Sequence, residues 1–423
     1  MNNDFITRIC SISNHPIKNF DEPFRIKYLK GLWVCLSKFK DKKKQIESLY
    51  KAWCLSIIDR EPDSSWLKEP ELKNISCTLG IQRKGFRFFT MRKEFFFDCF
   101  YFLSIVSKGD CEQMYEWLRK EHCGIFTRPL LKKVYAFFKD GMNEDIIPKE
   151  LLEHKRMCEG FQSSREKRIL VVANMSAGKS TLINALIGYR LNRTKTTVCT
   201  SKLCYIYNKP VEDGVLSYNN KKREYSYTMD TASVTSDSAD KISLKFSSTL
   251  NNKKICLIDT PGVNNIENPE HRRMTEDAIK ANNYDAIIYV SNCQYFGTTD
   301  ERRFLEFLKK HSKRPIIFVL NQLDRFNPEE DSVIKMLNEY TEELKKIGFT
   351  NPIVLPVSAY MALLVKLDKA KSLLSKRELY KINEYKELVR DDFFNLDKLT
   401  KTLGCELIYK TGIIAIENQI QSI

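Results

Sequence analysis

The chain lacks any apolar run long enough to cross a bilayer. Its most apolar stretch, residues 95–106, falls well short of the roughly 20 residues that span hydrocarbon, and it contains Asp98. None of its thirteen cysteines forms a CxxC pair, and no Cys/His spacing reads as a zinc site. The five histidines (His15, His122, His154, His271, His311) are dispersed without ligand spacing and read as ordinary side chains. Residues 1–15 lack the charged-then-apolar layout of a secretory signal. No internal repeat or low-complexity tract is present. These absences together imply reduced thiols in a cytoplasmic protein, most of them serving as small buried hydrophobes.

What is present is an ordinary globular balance. The 423 residues are 43% hydrophobic and 29% charged, enough for two or three domains with sizeable cores. The formal net charge of +15 favours anionic surfaces such as phospholipid or nucleic acid. Residues 1–165 carry about +8 of it. That even spread argues against one dedicated nucleic-acid face.

Residues 1–165 read as helical, with apolar side chains at helical spacing in Phe24, Tyr28, Leu32 and Leu36 and again in Ile46, Tyr50, Trp53 and Ile57. A turn at residues 61–65 precedes a further helical run over 92–107. The pattern changes at Arg168. From there, short apolar runs at 169–173, 255–258, 286–290, 316–320 and 353–357 alternate with amphipathic helices, as in strands of a parallel sheet buried on both faces. Residues 209–250 are polar and hairpin-like, with a turn at 219–222, and look inserted. Helix returns from about Lys366 to Ile423. The expected organisation is a helical region over 1–165, an α/β domain with a mainly parallel sheet over 166–365, and helices over 366–423 packing on either.

The sharpest motif is Ala173-Asn174-Met175-Ser176-Ala177-Gly178-Lys179-Ser180-Thr181, between an expected strand and the helix 181–187. This is the setting of a phosphate-binding loop, in which backbone N–H groups and the helix N-terminus cradle phosphates. Lys179 would neutralise the β- and γ-phosphates and the Ser180 hydroxyl would ligate Mg²⁺. Ala173 stands where the consensus has its first glycine, so the loop is entered with an ordinary φ. Asp259-Thr260-Pro261-Gly262 ends the next buried strand. Asp259 is placed to hold the Mg²⁺ shell and the Gly262 N–H to sense a γ-phosphate. Asn321-Gln322-Leu323-Asp324 follows another strand, and the Asp324 carboxylate would accept the N1–H and exocyclic amine of guanine, a donor pair adenine lacks. Ser358-Ala359 closes the series. Each tetrapeptide alone is a plausible turn. Their order at successive strand ends points to a guanine-nucleotide site. Thr197 lies where a switch threonine would contact Mg²⁺ and the γ-phosphate, with Thr196 and Thr200 as alternatives.

From Thr197 to Asp259 is 62 residues, more than a minimal GTPase domain needs between those points. With this spacing and the run from Asn174 through Gly188, the chain resembles the dynamin superfamily of large GTPases, bacterial dynamin-like proteins above all. The resemblance covers about 165–365 and extends weakly into residues 411–417. It implies a Mg²⁺-dependent GTPase that binds GTP and GDP, forms a homodimer head to head through the GTPase face, and uses helical bundles in membrane or assembly work. It also implies a cytoplasmic location, peripheral at the inner face of a bacterial membrane. Met175 occupies the place where eukaryotic dynamins carry a glutamine that orients water, so the attacking water is expected on backbone carbonyls and Thr197. Gln322 replaces the usual lysine that stacks across the base, which implies weaker guanine affinity. The regions flanking the domain are too short for a long stalk, as in a compact member or the head-and-neck portion of a longer chain.

Two features carry milder expectations. Residues 83–97 interleave bases with aromatics, a pattern read first as a helix with an aromatic core face and solvated bases, and second as a membrane or single-strand binder. Residues 366–390 hold eight Lys/Arg against four Asp/Glu, read as a solvated face. Two rival functions remain, an Era-type RNA- or ribosome-associated GTPase and a GTP-binding scaffold with little hydrolysis.

Overall fold

The computed structural model describes residues 10–68, 91–107, 109–174, 176–191, 202–220, 224–229, 239–262, 269–325, 332–390 and 396–423. It divides into two compact units. The first comprises 1–163 with 209–217 and 223–232, and the second comprises the remainder.

The first unit is helical: α1 (Glu22–Leu36), α2 (Lys43–Ile58), α3 (Ser64–Lys68), α4 (Arg92–Val106), α5 (Asp110–Trp117), α6 (Arg128–Asp140) and α7 (Lys149–Ser163). Asp21 starts α1 by accepting the Phe24 N–H, with a proline in the first turn. Asp59 in the left-handed conformation ends α2. Helix α4 is buried nearly all round, and Phe95, Phe96, Phe97, Phe100 and Phe102 fill the centre of the unit. This bears out the core reading for the end of the aromatic–basic stretch; residues 83–90 lie outside the described residues. Buried Asp98 on α4 accepts from Tyr28 Oη at 2.6 Å and pairs with His15 Nε2 at 3.1 Å. Buried polar groups of this kind are tolerated only when so satisfied.

The segments 209–217 and 223–232, expected in the α/β domain, belong to the first unit. Fully buried Lys209 pairs with Asp213 at 3.0 Å and donates to the Val215 carbonyl at 2.8 Å. Asp213 in turn accepts the Ser11 N–H at 3.1 Å. The strands β3 (Val215–Asn219) and β4 (Glu224–Thr228) are neighbours, and the Ser217 and Ser226 hydroxyls lie 2.9 Å apart.

Among the described residues, seven strands lie wholly in the second unit: β1 (Lys167–Ala173), β2 (Cys204–Asn208), β5 (Lys241–Leu244), β6 (Ile255–Asp259), β7 (Ala286–Asn292), β8 (Ile316–Asn321) and β9 (Ile353–Pro356). They lie in the order β5-β2-β6-β1-β7-β8-β9. All neighbouring pairs are parallel except β2 with β6. The apolar runs are buried because helices cover the faces: α8 (Lys179–Ile187), α9 (Pro269–Ala281), α10 (Thr299–His311), α11 (Val333–Ile347) and α12 (Ala359–Lys369). Burying each Val, Ile or Leu of these strands is worth about 1.5–3 kcal/mol. Four further helices follow, α13 (Lys376–Leu388), α14 (Leu396–Thr400), α15 (Leu407–Lys410) and α16 (Ile413–Ser422). The fold is thus the expected α/β class, a mainly parallel sheet flanked by helices.

One expectation for 366–390 is corrected. The stretch is two helices, and Lys366 is buried rather than solvated. Its ammonium meets Glu417 of α16 at 2.5 Å and the Ala185 carbonyl of α8 at 2.6 Å. Glu417 also accepts the Thr249 N–H and hydroxyl at 3.0 and 2.7 Å. A lone buried lysine would be prohibitively costly, so these partners are what permit it. Burial pushes its pKa down.

Candidate functional site

Five parallel strands, β6, β1, β7, β8 and β9, end side by side, and the motifs read from the sequence stand at or just past the ends of β1, β6, β8 and β9. Ligand sites of open α/β sheets lie there because the chain leaves each strand into a loop on that edge.

Leaving β1, the chain turns through Asn174, Ser176, Ala177 and Gly178 into α8. Ser176 and Gly178 have φ of 64° and 87°, the left-handed region. A Cβ on Gly178 would stand 2.4 Å from Asn321 Nδ2, so both φ and space require glycine there. Asn174 Oδ1 is buried with no hydrogen-bond partner among the described residues. Lys179 opens α8, with Ser180 and Thr181 after it in the first turn. Its ammonium forms an ion pair with buried Asp259 at the end of β6. The Thr260 hydroxyl donates to the Val171 carbonyl at 2.8 Å, fixing the departure from β6 against β1. The Thr275 hydroxyl donates to the Pro261 carbonyl at 2.9 Å, just before Gly262.

Asn321, the last residue of β8, joins three segments. Its amide donates to the Ala177 carbonyl at 2.9 Å, and its Oδ1 accepts the Ala359 N–H at 3.1 Å. Gln322 has φ 71°; its amide donates to the Ser176 carbonyl at 2.6 Å and its Oε1 accepts from Asn292 Nδ2 at 3.4 Å. Buried Asp324 has an Oδ1 without a partner among the described residues, and desolvation pushes its pKa above the ordinary carboxylate value. Ser358 is held by its N–H donating to the Thr411 carbonyl at 2.9 Å. Gly412 (φ 79°) passes so close that a Cβ would stand 2.1 Å from the Pro356 carbonyl. The weakly matching segment 411–417 is therefore packed against the Ser358-Ala359 turn.

The structure thus brings Ser176, Ala177, Gly178, Lys179, Asp259, Asn321, Gln322 and Ala359 together. Met175, Thr196, Thr197 and Thr200 lie outside the described residues. Asn292 was not singled out from the sequence. An asparagine closing a β-strand is a visible but weak signal, and only the third dimension pairs it with Gln322.

A phosphate loop beside an acidic strand end and an Asn-x-x-Asp turn defines the class, a P-loop fold of the GTPase type. Residues 169–323 match the Dynamin family. A bacterial dynamin-like protein of Nostoc punctiforme is 29% identical over 176 residues, 37% of this chain and 25% of that protein. GTPase Era of Clostridium perfringens is 28% identical over 201 residues, 46% of this chain and 50% of its own length. The chain spans between a quarter and about two thirds of the length of the first curated relatives it matches. Among solved structures, an oligomerised bacterial dynamin pair aligns over 97% of this chain and 73% of that one, at 17% identity and a TM-score of 0.37.

Proposed function

We propose that the chain binds GTP with Mg²⁺, hydrolyses it to GDP, and is stimulated by head-to-head pairing of two GTPase faces. The observation that carries this reading is the Asn321 bridge, which joins the phosphate loop to the turn that holds Asp324 and to Ala359. Backbone N–H groups of Ser176, Ala177 and Gly178 and the α8 N-terminus bind phosphate oxygens, with Lys179 neutralising the β- and γ-phosphates. Asp324 accepts from the guanine edge, supported by its unpartnered oxygen. Asn174, Met175, Thr181, Ser358 and Ala359 line the nucleotide. Ser180 and Asp259 offer the hard oxygen donors Mg²⁺ prefers, and Thr197 or a neighbouring threonine completes the set. When bound, Mg²⁺ supplies charge neutralisation at the bridging phosphates. The Gly262 N–H and Thr197 position the γ-phosphate and the attacking water, so the chain contributes orientation and electrostatics rather than covalent chemistry.

The work coupled to hydrolysis is proposed to occur at an anionic membrane. Among the described residues no helix is long and apolar enough to cross one. The loop before α6 exposes Ile125 by 81% and Phe126 by 93%, flanked by exposed Lys120, Arg128, Lys132 and Lys133. Apolar tips with a basic collar suit a lipid interface.

The test is phosphate release from GTP against ATP, with Mg²⁺, across a range of protein concentrations, with Lys179→Ala as control. GTP-selective turnover that rises per molecule with concentration and vanishes in the variant is expected. Turnover independent of concentration, with RNA co-purifying, would move the reading to an Era-type enzyme, in line with the similarity to GTPase Era. GTP binding without turnover would leave a scaffold.

A further inference from the structure

A cluster in the first unit is used by none of the chemistry above. Cys10, Cys158 and Val211 form a small buried cluster of their own, with the two cysteines 3% and 2% exposed. The two cysteine side chains pack together within it. On α7, Cys158 lies one turn after His154, with Sγ 3.6 Å from the imidazole Nε2. The His154 ring packs edge-on against Tyr101 at 5.5 Å. The hydrogen bond from the Cys10 thiol, opposed by burial and aided by His154, holds Cys158 below the ordinary thiol value. Cys10 is raised by the same contact and by burial. The backbone around Cys10 is already seated: its carbonyl accepts from Trp53 Nε1 at 3.3 Å, and the next residue, Ser11, donates from its N–H and hydroxyl to Asp213 at 3.1 and 3.2 Å.

We propose that Cys10 and Cys158 are a redox couple, closed by a hydroperoxide into an intramolecular disulfide that fastens the N-terminal segment to α7. Cys158 is the attacking sulfur, since the His154 imidazole beside it supports its thiolate. It displaces hydroxide from hydrogen peroxide and becomes a sulfenic acid; the hydroxide takes up the proton that Cys158 had released. The Cys10 thiol then attacks that sulfur, forming the S–S bond and expelling water. Overall two thiols and one peroxide give one disulfide and two waters, with two electrons passing from sulfur to peroxide oxygen. Peroxide is close to water in size, which suits a site this enclosed.

The proposal is independent of nucleotide turnover. The test treats the full chain with one to ten equivalents of hydrogen peroxide, blocks residual thiols with N-ethylmaleimide, and digests with trypsin without reduction. Mass spectrometry is expected to find peptide 9–18 joined to 157–165, two hydrogens lighter than the sum, and separated by dithiothreitol. Cys158→Ser removes the link, and Cys10→Ser leaves a sulfenic acid at Cys158 that dimedone traps. The wild-type map needs no variant, so a misfolded substitution does not weaken the test. The proposal is overturned if both cysteines stay alkylatable while exposed Cys405 oxidises, if the buried Cys35 and Cys99, also in thiol contact, link in preference, or if the linked peptide appears only in denaturant.

Discussion

The side-chain amide of Gln322 donates to the backbone carbonyl of Ser176 at 2.6 Å, and both residues sit at positive φ. The turn after β8 is thereby fastened to the phosphate loop by the residue that stands where dynamins usually carry lysine. A neutral hydrogen bond of this kind contributes about 1 kcal/mol, roughly fivefold in affinity. Gln322→Ala is therefore expected to weaken GDP and GTP about equally, by roughly that factor, in a fluorescent-nucleotide titration. Preference over adenine nucleotides should survive, because Asp324 is untouched.

Asp324→Asn removes the charge proposed to accept two guanine donors. Hydrogen bonds to a charged group are worth about 1.5–3 kcal/mol each, so GTP affinity should fall by about 100-fold or more. Competition between GTP and ATP would show the preference collapsing. An unchanged ratio would mean that the base is read elsewhere.

Burial raises the Asp324 pKa, which gives the site a pH signature. A protonated carboxyl cannot accept from both guanine donors, so binding first requires loss of that proton. Affinity should therefore fall as pH drops, starting above the ordinary carboxylate range, with protons released on binding. In the free protein the sign is opposite. The folded state holds the proton more tightly than the unfolded chain, so this stabilisation is present at low pH and lost as pH rises through the raised value. Nucleotide titrations in two buffers of different ionisation enthalpy would count the protons released.

Lys366→Met leaves Glu417 buried with only the Thr249 donors. Breaking one side of a buried ion pair costs about 3–5 kcal/mol. For a unit of this size that corresponds to a fall in Tm of about 10 °C. Adding Glu417→Gln should recover part of the loss by removing the orphaned charge. If the single variant melts like the wild type, the pair does not hold α16 in place.

Phe126→Asp should leave GTP turnover in solution intact and abolish flotation with phosphatidylserine vesicles, without changing the behaviour toward neutral ones. Equal flotation of variant and wild type would remove the tip from the membrane reading.

The site was legible in the sequence wherever chemistry forces a residue and its neighbours in the chain together. The strand runs at 169–173 and 316–320 announce themselves because a sheet covered on both faces admits no polar alternation. Gly178, Lys179 and Asp324 are recognisable because the proposed phosphate and guanine contacts would leave few substitutes. What was hidden depends on distance along the chain and on burial. Lys366 reads as one more base on a charged helix, and nothing local says that Glu417 will meet it. Lys209 lies in a stretch read only as polar and hairpin-like; its partners Asp213 and the Val215 carbonyl are close in sequence, and what was hidden there is its full burial. Pairing and burial of this kind are set by packing, and one sequence carries no mark of them.

Asn321 binds the loop after β1 through one end of its amide and the turn after β9 through the other. The halves of the site that would hold phosphate and base are therefore expected to open together. Amide hydrogen exchange at Ala359, whose N–H ends on Asn321, would then report on the phosphate loop as faithfully as exchange within the loop itself. Filling either half with ligand should slow exchange in both.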